Sequence, residues 1–136
     1  MRLYRVGLFT DVYFPNPNGV TTSVYLLLRE LRRMGHEAWV IAPAHPEAPE
    51  NEEGVARVPS VAYPFYEGQQ IALPSARHLP TEFELVHTHT PLTLGVWGLR
   101  IARNKNLPHV STFHTHYEKY AHYVPGLAFL DKYTGI

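Results

Sequence analysis

The sequence predicts an α/β domain built on a parallel, doubly wound sheet, with residues 1–136 forming one unit. Short apolar runs of strand length alternate with amphipathic helical patterns along the chain, the succession that places helices on both faces of a parallel sheet. The leading runs are apolar almost throughout, as strands covered on both faces are. Turn chemistry separates each run from the helix that follows, giving strand-helix-strand units of right-handed type.

Tyr4 to Thr10 reads as an interior strand, and the loop Asp11-Val12-Tyr13-Phe14-Pro15-Asn16-Pro17-Asn18-Gly19 leads from it into a helical pattern. There Val20, Val24, Leu27, Leu28, Leu31 and Met34 share one face, while Arg29, Glu30, Arg32 and Arg33 are placed for solvent. Gly35 supplies the stop and Glu37 to Ala42 the second strand. From Pro43 to Pro80, seven prolines break every long pattern, and Glu47, Glu50, Glu52 and Glu53 form an acidic cluster. This reads as an exposed excursion with short strands such as Val55 to Val58. Within it, Tyr63-Pro64-Phe65-Tyr66-Glu67 either packs on the core or walls a cleft.

Order returns with the strand Glu84 to Thr88. Thr90-Pro91 then predicts a helix from Pro91 to about Lys105, with Thr90 as N-cap and Pro91 in the first turn. Val110 to Phe113 reads as a further strand, and Tyr117 to Val124 as a short helix or a lid before Pro125-Gly126. In a doubly wound sheet the loops after the strands share one edge, where such folds place their chemistry. If the strands are neighbours, Asp11 to Gly19, His87 to Thr90 and His114 to Tyr117 meet there.

Charge and composition narrow the functions. Twelve basic and twelve acidic residues give a net charge of +0, which offers no electrostatic case for nucleic acid. The absence of cysteine excludes disulfides and thiolate chemistry. No stretch approaches the ~20 apolar residues of a membrane span, and Arg5 and Asp11 bracket too short an apolar run for a signal peptide. The expectation is a cytoplasmic chain, at most peripheral at the inner face of a membrane.

Three groups at the strand ends could carry chemistry. Asn18, Gly19 and Val20 open a helix whose free N–H groups and dipole suit a phosphate or diphosphate; equally, Asn18 is a cap and Gly19 a turn residue. The pattern is neither a dinucleotide fingerprint nor a Walker loop, and no acidic residue ends the second strand. His87-Thr88-His89 and His114-Thr115-His116 place pairs of imidazoles on one side of a strand. These rings could ligate zinc with Asp11, hydrogen-bond a sugar, or tie loops together. Position favours structural work for His87, nearest the strand interior, and a functional role for His114, at the same strand end as the aromatic Tyr117 to Tyr123 segment.

Phe9-Thr10-Asp11-Val12-Tyr13-Phe14-Pro15 with Asn18-Gly19-Val20, then His87-Thr88-His89-Thr90-Pro91, then Ser111-Thr112-Phe113-His114-Thr115 resemble, in order and spacing, the N-terminal half of retaining glycosyltransferases of family 4. The likeness to diacylglycerol glucosyltransferases within that family extends to Pro64-Phe65-Tyr66, Ala72-Leu73-Pro74 and Tyr117-Glu118-Lys119-Tyr120. The resemblance implies one Rossmann-like half of a GT-B architecture. It implies a nucleotide sugar, UDP-glucose, as donor substrate with no cofactor or bound metal, and a lipid or carbohydrate acceptor. By motif, Asn18, Gly19 and Val20 would meet the donor diphosphate and His114 would be the catalytic histidine on the donor sugar. Asp11, Tyr13, Tyr66, Tyr117 and Tyr120 would face the acceptor.

The chain departs from the family in carrying no pair of Glu at E-x7-E spacing and no C-terminal nucleotide-sugar domain. The expectation is therefore an acceptor-side domain that is inactive alone. Arg77 and His78 promise only weak membrane attraction. A His-ligated metal hydrolase and a stand-alone ligand-binding module are the rival readings.

Overall fold

The computed structural model describes residues 2–16, 18–64 and 69–112. Seven strands and two α-helices follow in the order β1 (Arg5–Phe9), α1 (Gly19–Arg33), β2 (Glu37–Pro43), β3 (Val55–Val58), β4 (Ser60–Ala62), β5 (Gln70–Ala72), β6 (Leu85–Thr88), α2 (Thr93–Asn104) and β7 (His109–Ser111). A 3-10 turn, Ala76–His78, precedes β6. Five strands form a parallel sheet ordered β3-β2-β1-β6-β7, and β4 pairs with β5 as an antiparallel hairpin. The predicted doubly wound α/β fold is present.

Alternation along the strands divides the core between the two faces. Val6 and Leu8 of β1, with Ala38, Val40 and Ala42 of β2, pack with Val24 and Leu28 of α1. Phe9, Ile41, Val58 and Val86 pack on the other side with Leu94 and Ala102 of α2. A period of two thus sends successive β1 residues to different helices. The first helix meets its predicted face except at Met34, which is 45% exposed at the C-cap. Arg32, expected in solvent, folds back to donate to the Ala38 carbonyl at 3.1 Å.

The second helix differs from expectation at its start. It begins at Thr93 rather than Pro91, with Leu92 at the N-cap and no capping bond from its side chain. Its buried face is Leu94, Gly95, Gly98 and Ala102, a mostly small surface that brings the helix close to the sheet. A Cβ on Gly98 would stand 3.0 Å from both Phe9 and Thr88 side-chain atoms. On Gly95 it would overlap the Thr90 carbonyl oxygen at 1.6 Å.

β1 pairs with both β2 and β6, and β6 with β7. The loops after β1, β6 and β7 therefore leave one edge of adjacent strands. The chain winds outward from β1 to β2 and β3 in one direction and from β6 to β7 in the other, so the switch point lies between β1 and β6.

Gly95→Ala is expected to destabilise the fold by about 3 kcal/mol or more, because the clashing atom is backbone and cannot rotate away. Denaturant unfolding of the variant measures it, and a loss below about 1 kcal/mol would show that the α2 start does not require this close approach.

Candidate functional site

The edge at the switch point is organised by Asp11, the second residue after β1. Its carboxylate accepts the Leu94 N–H on Oδ1 at 2.8 Å and the Gly95 N–H on Oδ2 at 3.4 Å. The Thr90 hydroxyl donates to Oδ2 at 2.6 Å and accepts the Asp11 N–H at 2.9 Å. The cap that α2 lacks locally is thus supplied by an acid on another loop. Thr90, predicted to be that cap, has its hydroxyl turned to Asp11 instead. Burial pushes the Asp11 carboxyl from 3.8 up to about 6, with the Leu94 N–H, the Thr90 hydroxyl and the Gly95 N–H pulling it back down.

The structure places the two described residues that the resemblance puts toward the acceptor. Asp11 is 3% exposed with both oxygens engaged, and Tyr13 is 5% exposed within the α1-side core. The Tyr13 hydroxyl is pushed up to about 12 by burial and by the nearby Glu52 carboxylate, against the opposing pull of Arg57. The neighbouring Phe14 is exposed, and its ring meets Tyr13 and Tyr25 edge to face at 5.2 and 5.6 Å.

At the head of α1, Asn18 is the predicted cap: its Oδ1 accepts the Thr21 N–H at 3.0 Å and its carbonyl accepts the Thr22 N–H at 3.1 Å. The Thr21 hydroxyl closes the turn on the Asn16 carbonyl at 2.7 Å. Gly19 and Val20 therefore stand in the first turn, where helix N–H groups have no intrahelical acceptor. A Cβ on Gly19 would meet nothing within 4 Å among the described residues. Packing among the described residues gives no reason for a glycine there, and the space it leaves is open.

His87 of β6 is a tie within the edge. His87 and His89 lie on the same side of the strand, as the H-x-H spacing predicts, with ring centroids 4.1 Å apart. His87 Nε2 meets the Thr112 hydroxyl at 2.5 Å, while Thr88, on the opposite side, meets His109 Nε2 at 2.9 Å. These bonds stitch β6 to β7 on both faces. Burial, then the charge of Arg103, lowers the His109 pKa. Among the described residues no group of three or more His, Cys, Asp or Glu is placed to hold a metal ion. His114, His116, Tyr66, Tyr117 and Tyr120 lie outside the described residues.

Sequence reasoning passed over the hairpin that roofs this edge. Gln69, just before β5, donates to the Asp11 carbonyl at 3.0 Å, and Ser60 of β4 donates to the Ala44 carbonyl at 2.5 Å. The proline density of residues 43–80 conceals these short strands, although Ser60-Val61-Ala62 and Gln70-Ile71-Ala72 each lie in a proline-free run.

The family model described as Glycosyltransferase Family 4 matches residues 17–134. The chain is 35% identical to an alpha-monoglucosyldiacylglycerol synthase of Streptococcus pneumoniae over 88% of this chain and 29% of that protein. A protein of the same name from Acholeplasma laidlawii is 35% identical, over 90% of this chain and 33% of its own length. A GDP-mannose-dependent alpha-mannosyltransferase of Mycolicibacterium smegmatis is 36% identical, over 82% of this chain and 32% of its own. The chain spans about a third of the length of these relatives.

Asp11→Ala is expected to cost about 3 kcal/mol at neutral pH, since it leaves two buried N–H groups and a hydroxyl without their acceptor. Asp11→Asn, which keeps one acceptor oxygen, costs less. The pH dependence follows from the sign of the shift. The folded state holds the Asp11 proton more tightly than the unfolded state, so this residue's contribution falls by about 3 kcal/mol as pH rises from 3.8 through about 6 and is level above that. Denaturant melts of wild type and Asp11→Asn between pH 4 and 7 check this: the variant should lose that downward component, and parallel profiles would refute it.

Proposed function

The chain belongs to glycosyltransferase family 4, and from that premise we propose that it is the acceptor-side, Rossmann-like half of a two-domain GT-B enzyme. The full protein would move a hexose, glucose in the first instance, from a nucleotide sugar to a lipid acceptor with retention of configuration. The observation that carries this reading is the open Gly19 at the head of α1, beside the crevice between β1 and β6. That is where a doubly wound sheet receives a phosphate-bearing ligand, and the first-turn N–H groups and helix dipole favour an anion there.

Asn18, Gly19 and Val20 are accordingly assigned to the donor diphosphate and His114 to the donor sugar. Tyr66, Tyr117 and Tyr120 are assigned to the acceptor. Support for glucose and a lipid comes from the names of the diacylglycerol-directed relatives, and the mannosyltransferase relatives make GDP-mannose the competing donor. The donor is a substrate, and no resident cofactor enters the scheme. We place the enzyme peripherally at the cytoplasmic face of a membrane, where a lipid acceptor would reach it.

The test is to express the chain with its downstream sequence and assay transfer from UDP-glucose, with GDP-mannose in parallel, to diacylglycerol in mixed micelles. Glycolipid formation is expected, and His114→Ala should reduce it by about a hundredfold, the effect of losing orientation at the reacting sugar. Gly19→Val should change stability by no more than about 1 kcal/mol, since its side chain enters open space, yet raise the donor KM by about tenfold. No transfer from either donor, or a Gly19→Val enzyme with wild-type KM, would defeat the assignment.

A further inference from the structure

We propose that Arg57, clamped by Glu52, is a positioning residue for nucleotide-sugar binding: it sets the loop between β1 and α1 against the sheet and thereby places the α1 N-terminus. The inference rests on the donor role proposed for Gly19 and names the part of the frame that fixes it.

Arg57 lies on β3 with its side chain turned away from the α2-side core that Val58 joins. Its Nε and Nη2 donate to the two Glu52 carboxylate oxygens, each at 2.8 Å, a bidentate fork whose side chains are only 16% and 13% exposed. Nη1 donates to the Pro43 carbonyl at the end of β2 at 3.0 Å, and Nη2 also reaches the Phe14 carbonyl at 2.7 Å. The guanidinium carbon stands 5.6 Å from the Tyr13 ring centre. One planar group thus joins the ends of β2 and β3 to the loop that runs into Gly19.

Past Asp11, whose carbonyl also accepts from Gln69, the other bonds of that loop among the described residues are short-range, including Asn16 N–H to the Tyr13 carbonyl and the Thr21 hydroxyl to the Asn16 carbonyl. They shape the loop without placing it. Asp11 anchors its first residue, and Arg57 anchors Phe14, from which five residues lead to Gly19. The chemistry is specific to arginine. A lysine ammonium offers a point charge and cannot hold the Glu52 fork and two carbonyls in one plane. The acidic cluster around Glu52 looked like a solvated run, yet this one carboxylate is enclosed and supplies the counter-charge that keeps the guanidinium in place.

The experiment compares wild type, Arg57→Lys and the milder Glu52→Gln in the protein carrying its downstream sequence, with UDP-glucose and GDP-mannose as donor probes. Steady-state kinetics are read beside amide exchange of residues 12–16. Arg57→Lys should raise the donor KM by about fivefold or more with kcat within about twofold of wild type, and exchange at residues 12–16 should rise by about tenfold while β1 is unchanged. Glu52→Gln should move both readouts in the same direction by a smaller factor. A purely structural role would lower the active fraction, and so apparent kcat, at constant KM; that result overturns the proposal. Wild-type KM or unaltered exchange in a folded Arg57→Lys also overturns it, as do wild-type values in Glu52→Gln if the lysine variant does not fold. Failure of the wild type to turn over either donor defeats the transferase reading itself, a result distinct from the loss of Arg57's role.

Discussion

Enclosure of the Asp11 carboxylate is the constraint on which the edge of this sheet depends. An acid removed from water is costly unless its oxygens are fully used, and here α2 uses them: two first-turn N–H groups and the Thr90 hydroxyl surround it. The helix gains a capping anion at the positive end of its dipole, and the acid gains donors that no solvent could supply at 3% exposure. Because cap and helix stand 83 residues apart in sequence, the bond also fixes β1 beside β6. Thr90 and Gly95 follow from it. The hydroxyl is taken by Asp11, the loop is drawn in beneath α2, and the Thr90 carbonyl occupies the space where any side chain at position 95 would go.

What the sequence made legible is what local chemistry determines. The apolar runs of β1, β2 and β6, the amphipathic face of α1 and the Asn18 cap depend on neighbours within a few residues, and the structure has them. The start of α2 was misread because a local signal, Thr90-Pro91, was outcompeted by a distant one. The hairpin β4-β5 was missed because prolines bound its short strands. Tyr13 could not be recognised as core by spacing, since a loop has no period; its burial comes from α1 and from the guanidinium of Arg57 packed over its ring. The strand order needed for the shared edge is a tertiary fact, and no single-sequence pattern contains it.

The same distinction separates the histidines. Alternation along a strand is local, so the shared orientation of His87 and His89 was foreseeable. The cross-strand partners are not: His87 meets Thr112 and Thr88 meets His109, residues of the next strand and its exit, and these pairs tie β6 to β7. His87, stacked on His89 and bonded to Thr112, does the work of a brace. The residues facing inward at this edge, Asp11, Tyr13, His89 and Glu52 with Arg57, form a frame, whereas Gly19 faces outward. A frame of this kind, with the packing of Tyr13 and Phe14, lets a loop on the surface hold one position.

Such a fixed helix terminus provides geometry more than charge. A helix N-terminus carries roughly half a positive charge, whereas a nucleotide-sugar diphosphate brings about two negative ones at neutral pH. Arg57, the described cation bonded to this loop, is already matched by Glu52, and the chain as a whole is neutral. Under the proposed donor role, most of the compensating charge must therefore come from groups beyond the described residues, approaching Gly19 from the open side. The chain spans about a third of the length of the relatives it matches. Under that same proposed role the bonds that brace the edge would have a physical purpose: a helix terminus contributes most to binding a diphosphate when its N–H groups are already in place, because any freedom left in the loop would be lost on binding.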